Sequence, residues 1–105
     1  MNPVEIRWQI AVDAYIDDDY RLANSLFRRL AMEGHAASMF YLAQIHQLGL
    51  GVPKNSEMAL RWYMAAAERN EREALCQMGT FYRLGEGVPV DKVAAIRCYR
   101  LSAQM

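Results

Sequence analysis

Two six-residue phrases, Leu48-Gly49-Leu50-Gly51-Val52-Pro53 and Leu84-Gly85-Glu86-Gly87-Val88-Pro89, stand 36 residues apart and constrain this chain more than any other feature. Carrying that offset along residues 35–69 against 71–105 makes nine of 35 positions identical. Besides the Leu, the two Gly, the Val and the Pro of the phrase, they are Ala59/Ala95, Arg61/Arg97, Tyr63/Tyr99 and Ala67/Ala103. Leu42/Met78, Ala43/Gly79, Ile45/Phe81 and Asn55/Asp91 extend the pattern with related residues. Self-similarity at a period between about 20 and 50 residues marks an array of stacked units, each too small to bury its apolar face alone.

Each unit reads as two helices around the glycine phrase. Ser38, Leu42 and Ile45, and their counterparts Ala74, Met78 and Phe81, recur at helical spacing and define helix A, from Ala37 to Leu48 in the first copy. Gly49 and Gly85 stand where a left-handed residue ends a helix at little cost, because glycine has no Cβ. The Gly-Val-Pro that follows predicts a bent, then extended connector, since proline fixes its own φ and disfavours helix in the residue before it. Asn55 and Asp91 then offer side-chain oxygens to the free amides of helix B, expected over Ser56 to Arg69 and Lys92 to Gln104. Alanines among Trp62 and Tyr63 give helix B an apolar face that a neighbour can approach closely. The first 34 residues fit the same unit, with Asp17-Asp18-Asp19-Tyr20 in place of the glycine phrase, Asp19 as cap, and helix B over Tyr20 to Glu33.

The phrases from Ala36 to Asn70, LGLGVPKN and MALRWYMAAAERN, resemble the Sel1-like repeat, a relative of the tetratricopeptide repeat with a longer connector. The resemblance is strongest over 36–70, good over 72–105 and weak in the opening unit. Ala43, Cys98 and Asn70 replace the helix A glycine, helix B tryptophan and terminal glycine of the family pattern. It implies an all-α fold, a right-handed α-solenoid of three helix-turn-helix repeats (about 3–34, 35–70 and 71–105) with six helices in a single domain, 1–105. It also implies a protein-binding scaffold, often bacterial and linked to signalling, envelope or secretion functions.

Composition narrows the function from the other side. Twelve acidic residues balance twelve basic ones, which leaves no overall field to attract nucleic acid or an anionic membrane. The opening MNPVEIRWQIAVDAY reads as neither a leader nor a membrane span, because Glu5, Arg7 and Asp13 interrupt its apolar run. Cys76 and Cys98 lack metal-ligand spacing and fit free thiols in a reducing cytoplasm. His46 aligns with Tyr82 and reads as a packed ring, whereas His35 reads as a solvated turn residue. The Gly-x-Gly pairs run into proline instead of opening a helix, so they are not nucleotide loops. Asp17-Asp18-Asp19 lacks the ligand spacing of a calcium loop. No catalytic residue, metal or cofactor is expected. A small-molecule-binding or hydrolytic member of the family is the alternative. It requires polar groups converging in a deep pocket around His46 or Cys76, and the secreted cysteine-rich members that bind penicillin-like ligands carry paired cysteines absent here.

The resemblance places helices A along the concave side. The residues mapped to that groove are Trp8, Val12 and Tyr15, then Phe40, Gln44 and Gln47, then Cys76, Thr80 and Arg83. Trp8 and Phe40 would serve either as anchors for a bound protein or peptide or as filling between adjacent helices. Ile96, Tyr99, Leu101 and Ala103 form a face of the last helix that a further helix would cover. That face is expected to serve self-association as a homo-oligomer or the docking of a partner.

Overall fold

The computed structural model describes residues 2–105, which fold into six helices: α1 (Pro3–Ile16), α2 (Tyr20–Met32), α3 (Ala36–Leu48), α4 (Ser56–Ala67), α5 (Arg72–Leu84) and α6 (Lys92–Gln104). Each helix packs on its neighbours in the chain, so three helical pairs stack in order. Helix α4 ends at Ala67, two residues before the expected Arg69, and the chain turns through Asn70 in a left-handed conformation.

Local chemistry sets the boundaries as the repeat predicts. Asn55 Oδ1 accepts from Met58 N at 3.0 Å, Asp91 Oδ1 from Ala94 N at 3.0 Å, and Asp19 Oδ1 from Leu22 N at 3.3 Å. Each relieves one of the orphan amides that open a helix. At the other ends Gly49 and Gly85 are left-handed, and the following amides bond back to Ile45 O and Phe81 O, both at 3.0 Å. The second glycine of each phrase has a different task. A Cβ on Gly51 would lie 2.9 Å from Tyr20 Cβ, and one on Gly87 would lie 2.7 Å from the carbonyl carbon of Ser56. Tyr20 and Ser56 are themselves one repeat apart. Each connector is thus pressed onto the first turn of helix B in the preceding unit.

The core is an aromatic spine crossing the units. Trp8 and Tyr15 flank Phe27, Phe27 stacks on Tyr41 with centroids 5.2 Å apart, and Tyr63 meets Phe40 at 5.5 Å and Phe81 at 5.6 Å edge-on. Phe27, Tyr63 and Phe81 are completely buried. Alanines 11, 23, 59 and 74, also fully buried, let the helices approach closely. Cys98 is a buried free thiol, and burial pushes it above its ordinary range.

Candidate functional site

The first unit runs in a different register from the one expected. Asp18 takes the left-handed conformation of Gly49 and Gly85, and Asp19 N bonds to Ala14 O at 2.8 Å as Leu50 N bonds to Ile45 O. Helix α1 therefore aligns with α3 at an offset of 31 residues, while α2 aligns with α4 at 36. Its connector is five residues shorter. The α1 counterparts of Phe40, Gln44 and Gln47 are Gln9, Asp13 and Ile16.

Trp8, Val12 and Tyr15, expected on the groove, sit one residue away and turn into the core. Trp8 packs on Phe27, His35 and Tyr41, and Tyr15 on Tyr20, Phe27 and Tyr41. Phe40 follows the filling reading of the two: it is buried against Tyr63. His35 is no solvated turn residue. Its ring lies 4.9 Å from Trp8, its Nδ1 accepts from Ser38 N at 3.2 Å to cap α3, and burial holds its pKa below the ordinary value.

A row of A-helix side chains remains outside the core at equivalent positions: Gln9, Asp13 and Ile16 on α1, Gln44 and Gln47 on α3, and Cys76, Thr80 and Arg83 on α5. Their hydrogen bonds run mostly within the row or to helix B. Gln9 Nε2 donates to Asp13 Oδ1 at 2.9 Å, and the buried Tyr63 hydroxyl donates to Gln47 Oε1 at 2.6 Å. One repeat later Tyr99 OH lies 3.1 Å from Thr80 Oγ1 and accepts from Arg83 Nε at 3.4 Å. Burial pushes the Tyr63 phenol upward, whereas hydrogen bonds from Thr80 and then Arg83 hold the Tyr99 phenol below its usual range.

Beside that trio an apolar hollow of about 230 Å³ opens on the outer face of the last pair, lined by Arg83, Lys92, Ala95, Ile96 and Tyr99. Ile96 is 55% exposed and Leu101 46%, while Ala103 is also exposed. A second groove, about 340 Å³, runs between α2 and α4, with Met32, Met58 and Trp62 as walls and Arg28 and His46 at its edge. Burial and then Arg28 hold His46 below its ordinary pKa. Periodicity could have placed Lys92, which aligns with Ser56, at the first turn of α6 beside the apolar hollow, but could not have shown the shift in α1, where no glycine marks the turn. Among the described residues no cluster of His, Cys, Asp or Glu could hold a metal ion, and no helix is long and apolar enough to cross a membrane.

Residues 14–35, 36–71 and 72–105 each match the family described as Sel1 repeat. A crystal structure of a Sel1 repeat protein from Oxalobacter formigenes is 28% identical with a TM-score of 0.87, over 91% of this chain and 40% of that one. The protective antigen c5321 of uropathogenic Escherichia coli, which displays an SLR fold, is 34% identical with a TM-score of 0.77, over 79% of this chain and 18% of its own. Helicobacter pylori cysteine rich protein B superposes at 0.79 over 96% of this chain and 86% of its own, and at 14% identity shares the fold alone. The chain spans less than half the length of the first two.

Proposed function

The chain belongs to the Sel1 repeat family, whose members generally serve as protein-interaction scaffolds, and from that premise we propose that it is a non-catalytic adaptor binding one protein or peptide. The observation that carries this reading is the A-helix row. Equivalent positions of three stacked helices offer a carboxylate at Asp13, amides at Gln44 and Gln47, a hydroxyl at Thr80 and a guanidinium at Arg83. Such a row suits an extended segment that is basic where it meets α1 and acidic where it meets α5. Most of these groups are held by a neighbour on the protein, so the row is arranged before a partner arrives and binding costs less ordering entropy.

The bacterial sources of the similar structures support a bacterial setting, the family resemblance suggests a regulatory or secretion-linked complex, and the two free thiols fit a reducing cytoplasm. The outer face of α6 is the second contact surface of the proposal. The row is tested with a Gln44→Arg/Thr80→Arg variant in quantitative affinity capture against the unaltered protein, with circular dichroism confirming equal helicity. Loss of a saturable partner is expected. Undiminished capture of the same partner would remove the row from the function.

A further inference from the structure

We infer that the groove between α2 and α4 is a separate docking site, which takes a peptide segment of a partner protein in which a carboxylate side chain stands beside a large apolar one. It lies away from the A-helix row, since His46 is two residues from Gln44 and so about 200° around α3. It is also an interior feature of the stack: α2 packs on α1 and α3, and α4 on α3 and α5.

The lining divides into apolar walls, Met32, Met58 and Trp62, and a cationic edge, Arg28 and His46, with no acidic residue in it. Arg28 is exposed and forms no ion pair among the described residues, where the sole pair joins Arg7 to Glu33. It lies near enough to His46 to oppose protonation of the ring, and no carboxylate pulls the other way. A carboxylate is the group this edge lacks, and the guanidinium fork can hold both of its oxygens. The unbranched methionines beside Trp62 adapt to apolar side chains of different shape.

Packing does not account for this chemistry. At the next junction, 36 residues on, Met64 and Tyr82 stand for Arg28 and His46, and Glu68 stands for Met32. The same fold is built there with no cation at either position and an acid in place of a wall. The occupant follows from the size and openness of the groove. Its volume of about 340 Å³ is near the lower end of ligand sites, about 300–1,000 Å³, and suits one or two side chains instead of a whole helix. Met32 is 76% exposed, so this wall cannot enclose a free small molecule, most of whose surface a ligand site buries. A segment reaching in from a larger partner needs only its side chains covered. Opposite charges at the rim then set which segment enters and in which direction.

Magnetic resonance titration of the isotope-labelled protein tests this with blocked heptapeptides that carry Leu or Phe followed by Asp or Glu between serines and glycines, and with a matched set carrying Asn or Gln. The chain has two tryptophans, Trp8 among the core rings and Trp62 in the groove, so its two indole N–H signals separate the site from the core. The Trp62 signal is expected to shift saturably with an acidic peptide while that of Trp8 stays, and the amide counterpart to bind about tenfold more weakly, as befits a lost hydrogen bond to a charged group. Arg28→Glu, at an exposed position, is expected to keep its circular dichroism, lose the acidic peptide and bind the Lys counterpart. Arg28→Met/His46→Tyr, which installs the residues of the next junction, is expected to bind neither. The proposal is overturned by a Trp62 signal that no acidic peptide moves, by acidic and amide peptides that bind alike, or by Arg28→Glu retaining the acidic peptide. Isocaproate binding as tightly as the peptides also overturns it, since the groove would then be a site for a free apolar carboxylate.

Discussion

The α3–α4 pair and the α5–α6 pair are built from one pattern, and their differences separate what a repeat supplies from what its neighbour supplies. Both end helix A on a left-handed glycine, cap helix B with Asn55 or Asp91, and turn a tyrosine of helix B toward helix A. Yet Tyr63 is fully buried with its hydroxyl on Gln47, while Tyr99 is partly open, with Thr80 and Arg83 around its hydroxyl. Leu60 is 6% exposed and its counterpart Ile96 55%. The covering of α4 comes from α5. Burial at a repeat position is therefore a property of two adjoining units, as a stack with nearest-neighbour coupling requires.

The strongest way to break the comparison is to truncate the two tyrosines. Tyr63→Ala removes a ring that touches Phe40 on one side and Phe81 on the other, and leaves Gln47 without its donor. A loss of about 3–5 kcal/mol is expected, in the range for large aromatic deletions in a core. Tyr99→Ala removes a half-covered ring and should cost about 1–2 kcal/mol, because less apolar area returns to water and no rigid cavity forms. Urea denaturation followed by circular dichroism measures both, and equal losses would show that α5 contributes nothing to the burial of Tyr63.

Next in size is Gly87→Ala, which acts on the junction of the two pairs. The residue has φ +64°, and an added Cβ meets the Ser56 backbone at 2.7 Å, where no flexible group can yield. The left-handed penalty and the overpacking together amount to about 2–4 kcal/mol. A smaller effect, about 1 kcal/mol, is expected of Gly79→Ala. There the added methyl strikes the Tyr99 ring at 2.7 Å, but that ring can swing outward and the helix gains propensity. The α3–α4 pair already carries Ala43 at this position. If thermal unfolding showed Gly79→Ala costing as much as Gly87→Ala, Tyr99 would be held as firmly as Tyr63.

These residues also show how far the fold was legible. A Gly-x-Gly-Val-Pro phrase carries its own backbone geometry, so the last four helices, the caps at Asn55 and Asp91 and the left-handed turns at Gly49 and Gly85 could be read from spacing, whereas the His35 cap of α3 could not. The second glycine's reason lies in contact with the preceding unit, which spacing does not display. In the first unit the turn is made by Asp18, an ordinary residue in a left-handed conformation, and no residue type announced it. A one-residue error there rotates every side chain of α1 by about 100°. That rotation carried Trp8, Val12 and Tyr15 from the groove into the core. Phe40 could be read as an anchor or as filling, and what distinguishes the two, its ring contact with Tyr63 of α4, is a tertiary fact without a sequence mark.

The smallest effect concerns the residue before each A helix. His35 caps α3 through Nδ1, whereas its counterpart Glu71 makes no side-chain cap to α5. The cap needs the unprotonated nitrogen. Burial lowers the folded-state pKa of His35 below 6.5, against an opposing pull from Glu71. The unfolded chain therefore takes up the proton first as pH falls. The stabilisation is fully present above the ordinary histidine value and declines as the pH drops below it toward the folded-state pKa. His35→Asn keeps an oxygen acceptor at the cap without a titrating ring, so its melting temperature should fall less between neutral and mildly acidic pH, the remaining slope belonging in part to His46, which burial also lowers. Glu71→Asn should add a cap and raise stability by about 1 kcal/mol at neutral pH. Melting curves across that pH range decide the matter: parallel declines for the unaltered protein and His35→Asn would show that the Nδ1 cap adds no measurable stability and that His35 acts through its ring contact with Trp8.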